Sequence, residues 1–546
     1  MSKTIIYQLF PRLFANYNET RKHNGTKEEN GCGRFVDINE RALKAIVDLG
    51  ATHVWYTGVI RHATAQYNNP AITKGKAGSP YAITDYYDVD PDLAKNESKR
   101  MAEFEDLVKR THEAGLGVII DFVPNHVSRE YKSACKPDSV KDLGEGDHPE
   151  WAFSPLNDFY YLPGERFTMD KDLQGYEEYP AKVTGNDCFT SHPSENDWYE
   201  TVKLNYGVFY QGGMEKQFNP IPSVWPKMLN ILLFWAGKGI DGVRVDMAEM
   251  VPVEFFAWAI AQVKKKYKKF LFIGECYDPY KYDAYLAAGF DYLYDKVGMY
   301  DYLRGVTSRG WAADGITRQW MQHGDVRINH MLYFLENHDE QRLASGFFCG
   351  DGRCAEPAMI VAATLNQCPL MVYSGQELGE RGMDMEGFSG IDGRTTIFDY
   401  WGVKSVQAWA NKGKFDGAKL LPEQKELRAF YQRLLTVARD DKAVQKGRMY
   451  DITYAQGAGF DRQQHFAFLR HIKGETLLVV VNFHDREQHV NVRIPNDAFV
   501  YLGLDEKAGA IGTDLLRGGR YDVNFVPDGV TEITLPAWTG VILRIK

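Results

Sequence analysis

The sequence predicts an α/β fold: a (β/α)8 TIM barrel with an inserted domain after strand three and a C-terminal antiparallel β-sandwich. Three observations predict it. Short apolar, β-branched runs alternate with amphipathic helical patterns along most of the chain. The alternation breaks once, over residues 127–225, into Pro, Gly, Asp, Asn and aromatic residues. Past about residue 440 the helical period gives way to short alternating segments between turn residues.

Ile5 to Phe10 is the first strand, and Leu43, Ile46 and Val47 mark a helix face that Gly50 closes before a second strand, Thr52 to Val59. Ser98 is the expected N-cap of a helix with Met101, Phe104, Leu107 and Val108 on one face; Gly115 stops it, and Val118-Ile119-Ile120 is the buried third strand. Residues 127–225 are too many for an ordinary loop and too aromatic for disorder, so they form the inserted domain; Trp151, Phe159, Tyr160, Tyr161 and Trp198 are candidates to line a cleft, with most of them expected in its core. Alternation resumes with helix 226–238, strand 241–246, helix 253–268, strands 270–275, 290–295 and 331–336, helix 354–366 and strand 369–374. The barrel then comprises 1–126 and 226–438, and 439–546 is the sandwich, with strands at Phe466 to Leu469, Thr476 to Val481 and Val490 to Ile494.

The 546 residues are 44% hydrophobic and 25% charged, which excludes a disordered or fibrous chain. Lys and Arg number 64 against 73 Asp and Glu, a net charge of −9, so neither nucleic acid nor an anionic membrane is an expected partner. The run Lys264-Lys265-Lys266-Tyr267-Lys268-Lys269 reads as a solvated last helical turn favoured by the helix dipole. Aromatic residues reach 13%, compatible with sugar stacking and with large cores alike. Seven Cys without a C-x-x-C pair are expected as reduced thiols, and the N-terminal apolar run is too short for a signal peptide, so the expected location is cytoplasmic. The sequence leaves the oligomeric state open.

A barrel of this kind carries its chemistry at the C-terminal ends of its strands. Strand three ends Asp121-Phe122-Val123-Pro124-Asn125-His126, where the period of two puts Asp121, Val123 and Asn125 on one face. Strand four ends Asp241-Gly242-Val243-Arg244-Val245-Asp246, and a guanidinium two residues from a carboxylate favours its ionised, nucleophilic form. Strand five ends on Glu275 after a wholly apolar run, the setting of a general acid. Strand seven ends Glu336-Asn337-His338-Asp339. Each motif alone has a bland reading as a turn, cap or ion pair. Three acids at the ends of strands four, five and seven of one barrel instead match the paired-carboxylate machinery of glycosidic bond cleavage.

With these motifs on the page, the sequence closely resembles the alpha-amylase family of glycoside hydrolases, family thirteen. The resemblance adds Ile6-Tyr7-Gln8-Leu9-Phe10-Pro11, Ser79-Pro80-Tyr81-Ala82-Ile83-Thr84-Asp85-Tyr86 and Tyr373-Ser374-Gly375-Gln376-Glu377-Leu378-Gly379, all in the family's order. It implies that Asp246 is the nucleophile, Glu275 the general acid/base and Asp339 the carboxylate that stabilises the transition state. It further implies that Arg244 orients the nucleophile, that His126 and His338 hydrogen-bond the sugar, that Tyr81 stacks on it, and that Asp121 and Asn125 support the site.

The sequence departs from the starch-cleaving members at Glu249 and Met250, where those carry Lys and His, so bond specificity stays open. Glu249 is read as a capping residue before a sugar contact. Many relatives hold a structural calcium ion through the residues matched by Asn125 and the Met250 carbonyl. No acidic spacing completes such a site here, and the loop from Asn16 to Gly33 reads as solvated, so no metal or other cofactor is expected to be required. The leading expectation is a retaining hydrolase of α-glucosidic bonds, α-1,4 foremost, in malto-oligosaccharides or other soluble α-glucans. Transglycosylation with the same triad is the alternative, and a non-catalytic sugar-binding relative conflicts with an intact triad.

Overall fold

The computed structural model describes residues 3–546, without the side chains at 325 and 326; the Met1-Ser2 start of the segment read for a leader lies outside the described residues. Eight short strands carry the apolar runs: β1 (Ile5–Leu9), β2 (His53–Tyr56), β3 (Gly117–Phe122), β4 (Gly242–Val245), β5 (Leu271–Gly274), β6 (Tyr292–Tyr294), β7 (Met331–Leu332) and β8 (Leu370–Tyr373). They pair in parallel in the order β7-β6-β5-β4-β3-β2-β1-β8, and a parallel bridge from Tyr333 to Leu370 closes the ring.

The period of two sends alternate side chains inward. Ile6, Trp55, Ile119, Ile273, Tyr294, Leu332 and Met371 come from seven of the strands and form one buried interior cluster. The eighth strand contributes Arg244, whose guanidinium lies 5.4 Å from the Trp55 ring centroid and 5.6 Å from that of Tyr294. Apolar filling therefore stops at the level of Arg244, and the next inward positions toward the strand ends are the polar ones.

Helices cover the outside where the 3.6-residue period demands. Asn39 caps Glu40–Leu49 by accepting from the Ala42 N–H, and Gly50 ends it at φ +113°, a conformation that costs a side chain more. Ser98 is not the cap of the next helix. Asn96 precedes it and accepts from both its N–H and its hydroxyl, starting a 3₁₀ turn that leads into the helix Arg100–Glu113. Lys264, Lys265 and Lys266 do form the last turn of Val253–Lys266. The segment from Asn16 to Gly33 is solvated at Glu19, Thr20 and Lys22 to Asn24 but anchored at the buried Asn16 and Asn30, and Asn30 donates to the Lys22 and Tyr400 carbonyls.

The insertion leaves β3 through His126–Ser128, which pairs antiparallel with Thr201–Lys203 on the return. Inside it Tyr160, Leu162, Phe167, Ala181 and Val183 cluster. Phe159, Tyr160 and Tyr161 are buried as expected, whereas Trp151 is 44% exposed.

The C-terminal strands are β9 (Arg448–Asp451), β10 (His465–Ile472), β11 (Glu475–Asn482), β12 (Gln488–Arg493), β13 (Lys507–Asp514), β14 (Arg520–Phe525), β15 (Val530–Leu535) and β16 (Thr539–Ile545). A six-stranded sheet, β9-β10-β11-β16-β13-β14, faces the pair β12-β15 across a core containing Leu469, Leu478, Val490 and Ile533. A helix the strand pattern did not foretell, Asn496–Leu502, adds Phe499 and Leu502 to that core.

Among the described residues no helix is long and apolar enough to cross a membrane. The expectation of seven reduced thiols fails at one pair: Cys349 and Cys354 form a disulfide with Cα atoms 6.4 Å apart. The turn begun at Gly350, φ +79°, folds this C-x4-C segment back on itself.

Candidate active site

Arg244 organises the barrel mouth. Its Nη1 donates to Asp246 Oδ1 at 2.7 Å and its Nη2 lies 2.7 Å from Glu275 Oε2, while Asp121 Oδ1 stands 3.7 Å from Nη1. The arrangement follows from register: Arg244 is the ladder partner of Asp121 on one side and of Ile273 on the other, so Asp246 and Glu275, each two residues further on an inward period, end beside it. Asp246 Oδ2 is buried and accepts no hydrogen bond among the described residues. Asp121 is pinned from behind by the Trp55 indole and the Gly58 N–H, both donating at 3.2 Å.

Glu275 is not in the wholly apolar setting that its strand suggests. Besides Arg244, Oε2 accepts from the Met247 N–H at 2.7 Å, and the Tyr277 hydroxyl donates to Oε1 at 2.6 Å. The first of these donors exists because Met247 sits at φ +43°, ψ +43°, a left-handed conformation that costs a side-chain-bearing residue about 1–2 kcal/mol. The chain thus turns sharply after Asp246 and points that amide at the neighbouring acid.

Asp339 reaches the cavity from the end of β7. Its Oδ2 is 3.1 Å from His338 Nε2, and His338 Nδ1 is 2.8 Å from Gln8 Nε2. Gln8 is the donor in that pair, so Nδ1 accepts and Nε2 carries the proton toward Asp339. The Tyr81 hydroxyl also hydrogen-bonds His338 Nε2. Burial first, then the Arg244 charge, drives the His338 imidazole well below its usual pKa, and burial with Lys203 and Lys74 nearby lowers His126 to about 3. Both histidines are therefore neutral hydrogen-bonding groups at neutral pH.

One guanidinium serves several acids, and burial outweighs it. Desolvation raises Asp246 well above the usual carboxylate range, with Arg244 pulling down and Glu275 pushing up. Asp121 rises to about 6 by burial, which Arg244 opposes. Asp339 rises to about 7 by burial and then repulsion from Glu275, although its side chain keeps 37% exposure, which weakens the effect.

The sign of the consequence is definite. A carboxyl group with a folded pKa near 7 and an unfolded value of about 3.9 holds more protons folded than unfolded in between. Its stabilising share is complete below the lower value and lost as pH rises through the upper. Asp339→Asn should therefore melt about 1–3 °C above the parent at pH 8, with the difference vanishing near pH 4. Scanning calorimetry at the two pH values reads it, and equal shifts at both would contradict it.

Asp246, Glu275, Asp339, Tyr81 and His126 line one cavity of about 330 Å³. Arg244, Asp121 and His338 support its floor. Asn125 stands apart: its carboxamide donates to the Gly185 carbonyl at 2.8 Å and accepts from Lys203 Nζ at 2.7 Å. The oxygen that a calcium ion would need is thus already engaged by an ammonium, and these residues do not fit the ion. Glu249 is a cap, its Oε2 accepting from the Tyr277 and Asp278 N–H groups at 3.2 and 3.0 Å.

Sequence reasoning missed several neighbours. Tyr277 was within reach of the argument, since it follows Glu275 by two. Trp198, one of the insertion's aromatic residues named from the sequence, stands in the cavity wall; with it are Glu200, Lys74 before β3, and Phe388 and Phe398 after β8, four that no local pattern marks.

The family model for the alpha-amylase catalytic domain matches residues 8–467. Alpha-amylase 2 of Dictyoglomus thermophilum is 22% identical over 503 residues, covering 90% of this chain and 71% of that protein. Maltase 1 of Drosophila virilis is 22% identical, with 99% of this chain and 86% of the relative covered. Among solved structures, the maltogenic alpha-amylase AmyB from Thermotoga neapolitana superposes with a TM-score of 0.64 at 20% identity over 99% of this chain and 98% of its own. An alpha-amylase from Geobacillus thermoleovorans, complexed with acarbose, gives 0.65 at 18% identity over 100% and 98%. At such identities the structures attest the fold.

Proposed function

The chain belongs to the alpha-amylase family of glycoside hydrolases, and we propose that it hydrolyses α-1,4-glucosidic bonds of malto-oligosaccharides or other short, soluble α-glucans with retention of configuration. The observation that carries this reading is the pairing of Asp246 and Glu275 on the two terminal nitrogens of one guanidinium, at 2.7 Å each. Two carboxyl groups tied to one small planar cation favour the close spacing of double displacement, about 5–5.5 Å.

In this scheme the ionised form of Asp246, which Arg244 favours against burial, attacks the anomeric carbon through Oδ2, the oxygen that accepts no hydrogen bond among the described residues. The glycosidic C–O bond breaks as Glu275 gives its proton to the leaving oxygen. Water then attacks the same carbon, Glu275 takes a proton from that water and so regains its acid form, and the bond to Asp246 breaks to return its carboxylate. Asp339 and the neutral His126 hold ring hydroxyls, Tyr81 lies against the ring, and the neutral His338 beneath them fixes Asp339 and Tyr81 through Nε2. The preference for short chains is supported by the cavity's size and walls: Trp198 and Glu200 on one side, Phe388 and Phe398 on another. The alpha-amylase from Geobacillus thermoleovorans that shares this fold is complexed with acarbose.

Proton NMR within minutes of adding enzyme to maltotriose tests the reading. Two inversions at one carbon restore its configuration, so the α-anomer should be released first. Initial β-anomer would overturn retention, and release only from isomaltose would overturn the linkage. Products longer than the substrate would place the second step with a sugar acceptor.

A further inference from the structure

We propose that Lys203 is a resident cation at the joint between barrel and insertion, doing the work of a bound divalent ion and thereby positioning His126 in the cavity. Its side chain is 2% exposed, and its ammonium is 2.7 Å from Asn125 Oδ1 and 2.5 Å from Asp187 Oδ1. These two oxygens belong to different parts of the fold: Asn125 ends the β3 motif, and Asp187 lies in the returning half of the insertion. A buried ammonium is tolerated only when its donors are met. Here the carboxamide accepts one of its three hydrogens, the Asp187 carboxylate pairs with its charge, and the Tyr210 ring centroid lies 5.2 Å away.

The clasp bears on the cavity through His126. Lys203 is the antiparallel ladder partner of His126, so ammonium and imidazole issue from facing positions of one strand pair. The Asn125 amide that accepts from Lys203 also donates to the Gly185 carbonyl at 2.8 Å, drawing the loop of Gly185 and Asp187 against the histidine. That loop packs so closely that a Cβ on Gly185 would stand 2.9 Å from His126 Cβ and 2.4 Å from Thr201 Oγ1. Trp198, on the same returning segment, meets the His126 ring at 5.2 Å between centroids. Remove the charge from Lys203 and Asp187 loses its partner, the loop loses its tether, and His126 loses the wall that fixes its ring.

A calcium ion is ill suited to the same place. It seeks about six to eight oxygens, several of them charged. The ammonium joins one amide oxygen and one carboxylate, and a dication beside it would be repelled. The lysine is delivered by folding itself and cannot be chelated away. Lys203 is a positioning residue, because nothing here brings it to the substrate.

The clasp stands independently of the substrate reading; only the kinetic arm of its test rests on that reading. Wild-type protein, first dialysed against EDTA, should melt at the same temperature with and without millimolar calcium. Lys203→Met, of similar length but uncharged, should melt lower by about 5 °C and lose about 10- to 100-fold in kcat/KM. Lys203→Arg should recover part of both. Should Lys203→Met fail to fold, Asp187→Asn weakens the same clasp from its more exposed end and should raise KM more than it lowers kcat, again without a calcium response. A calcium-dependent rise in the wild-type melting temperature would overturn the proposal. So would Lys203→Met with wild-type melting and KM, and a fall in melting temperature with unchanged kcat and KM would remove the positioning role. If the wild type is inactive on every α-glucan, the function reading fails while the melting arm still decides on the clasp.

Discussion

Asp246→Asn should lower kcat by on the order of 10⁴- to 10⁶-fold without unfolding the protein, since it removes the group proposed to bond to the anomeric carbon. The amide keeps the size of the carboxyl group and can still accept from Arg244. Glu275→Gln should lose about 10²- to 10⁴-fold on maltotriose, the usual contribution of a general acid. The two roles separate on a substrate whose leaving group needs no proton, such as an α-glucosyl fluoride. There the first step should survive in Glu275→Gln and fail in Asp246→Asn, with single-turnover fluoride release as the readout. Equal loss in both variants on the fluoride would mean that the roles are misassigned.

Arg244→Met should be nearly as severe, for a different reason. The guanidinium is the cation between Asp121, Asp246 and Glu275, and all four groups are buried. A cation beside a carboxyl group lowers its pKa, so removing it raises that of Asp246 further. More of the nucleophile is then protonated at any given pH, and the acidic limb of kcat/KM should move to higher pH. Stability should also fall by about 3–5 kcal/mol, as when one partner of a buried ion pair is removed. The loss should be greater at pH 8 than at pH 5, where protonation relieves the stranded acids. An unmoved acidic limb would show that Arg244 does not set the charge on Asp246.

Much of this architecture is legible in the amino-acid order because it follows from short-range rules. Each barrel strand is an apolar run of a few residues, and the period of two dictates that Asp121, Arg244, Asp246 and Glu275 point inward together. The ends of elements were less legible. The run 331–336 looks like one strand, yet the ladder proper stops at Leu332 and Tyr333 makes only a bridge. Beyond it Glu336 turns to meet Arg342 at 2.8 Å in the core, a partner no strand pattern announces. Least legible were contacts between distant segments. Lys203 meets Asn125 across 78 positions, and nothing local marks either as half of a pair. Met247 in the left-handed region runs against its own propensity, and only the acid that its amide serves explains it.

The paired stem His126–Ser128 and Thr201–Lys203, through which the insertion leaves and re-enters, makes that insertion a cassette. Its strands join none of the barrel ladders, and what ties it to the barrel beyond the stem is side-chain contact, such as Lys227 with the buried Asp158 and Ser133 with Asp85. The wall that Trp198 and Glu200 build can therefore change with less effect on the barrel strands than a change in the strands themselves. The stem adds a constraint of its own: His126 and Lys203 sit opposite each other, so a new cassette must bring its own counterpart to Asn125. Lineages that change substrate by swapping this module would be expected to keep that rung of the stem or to replace both of its ends together.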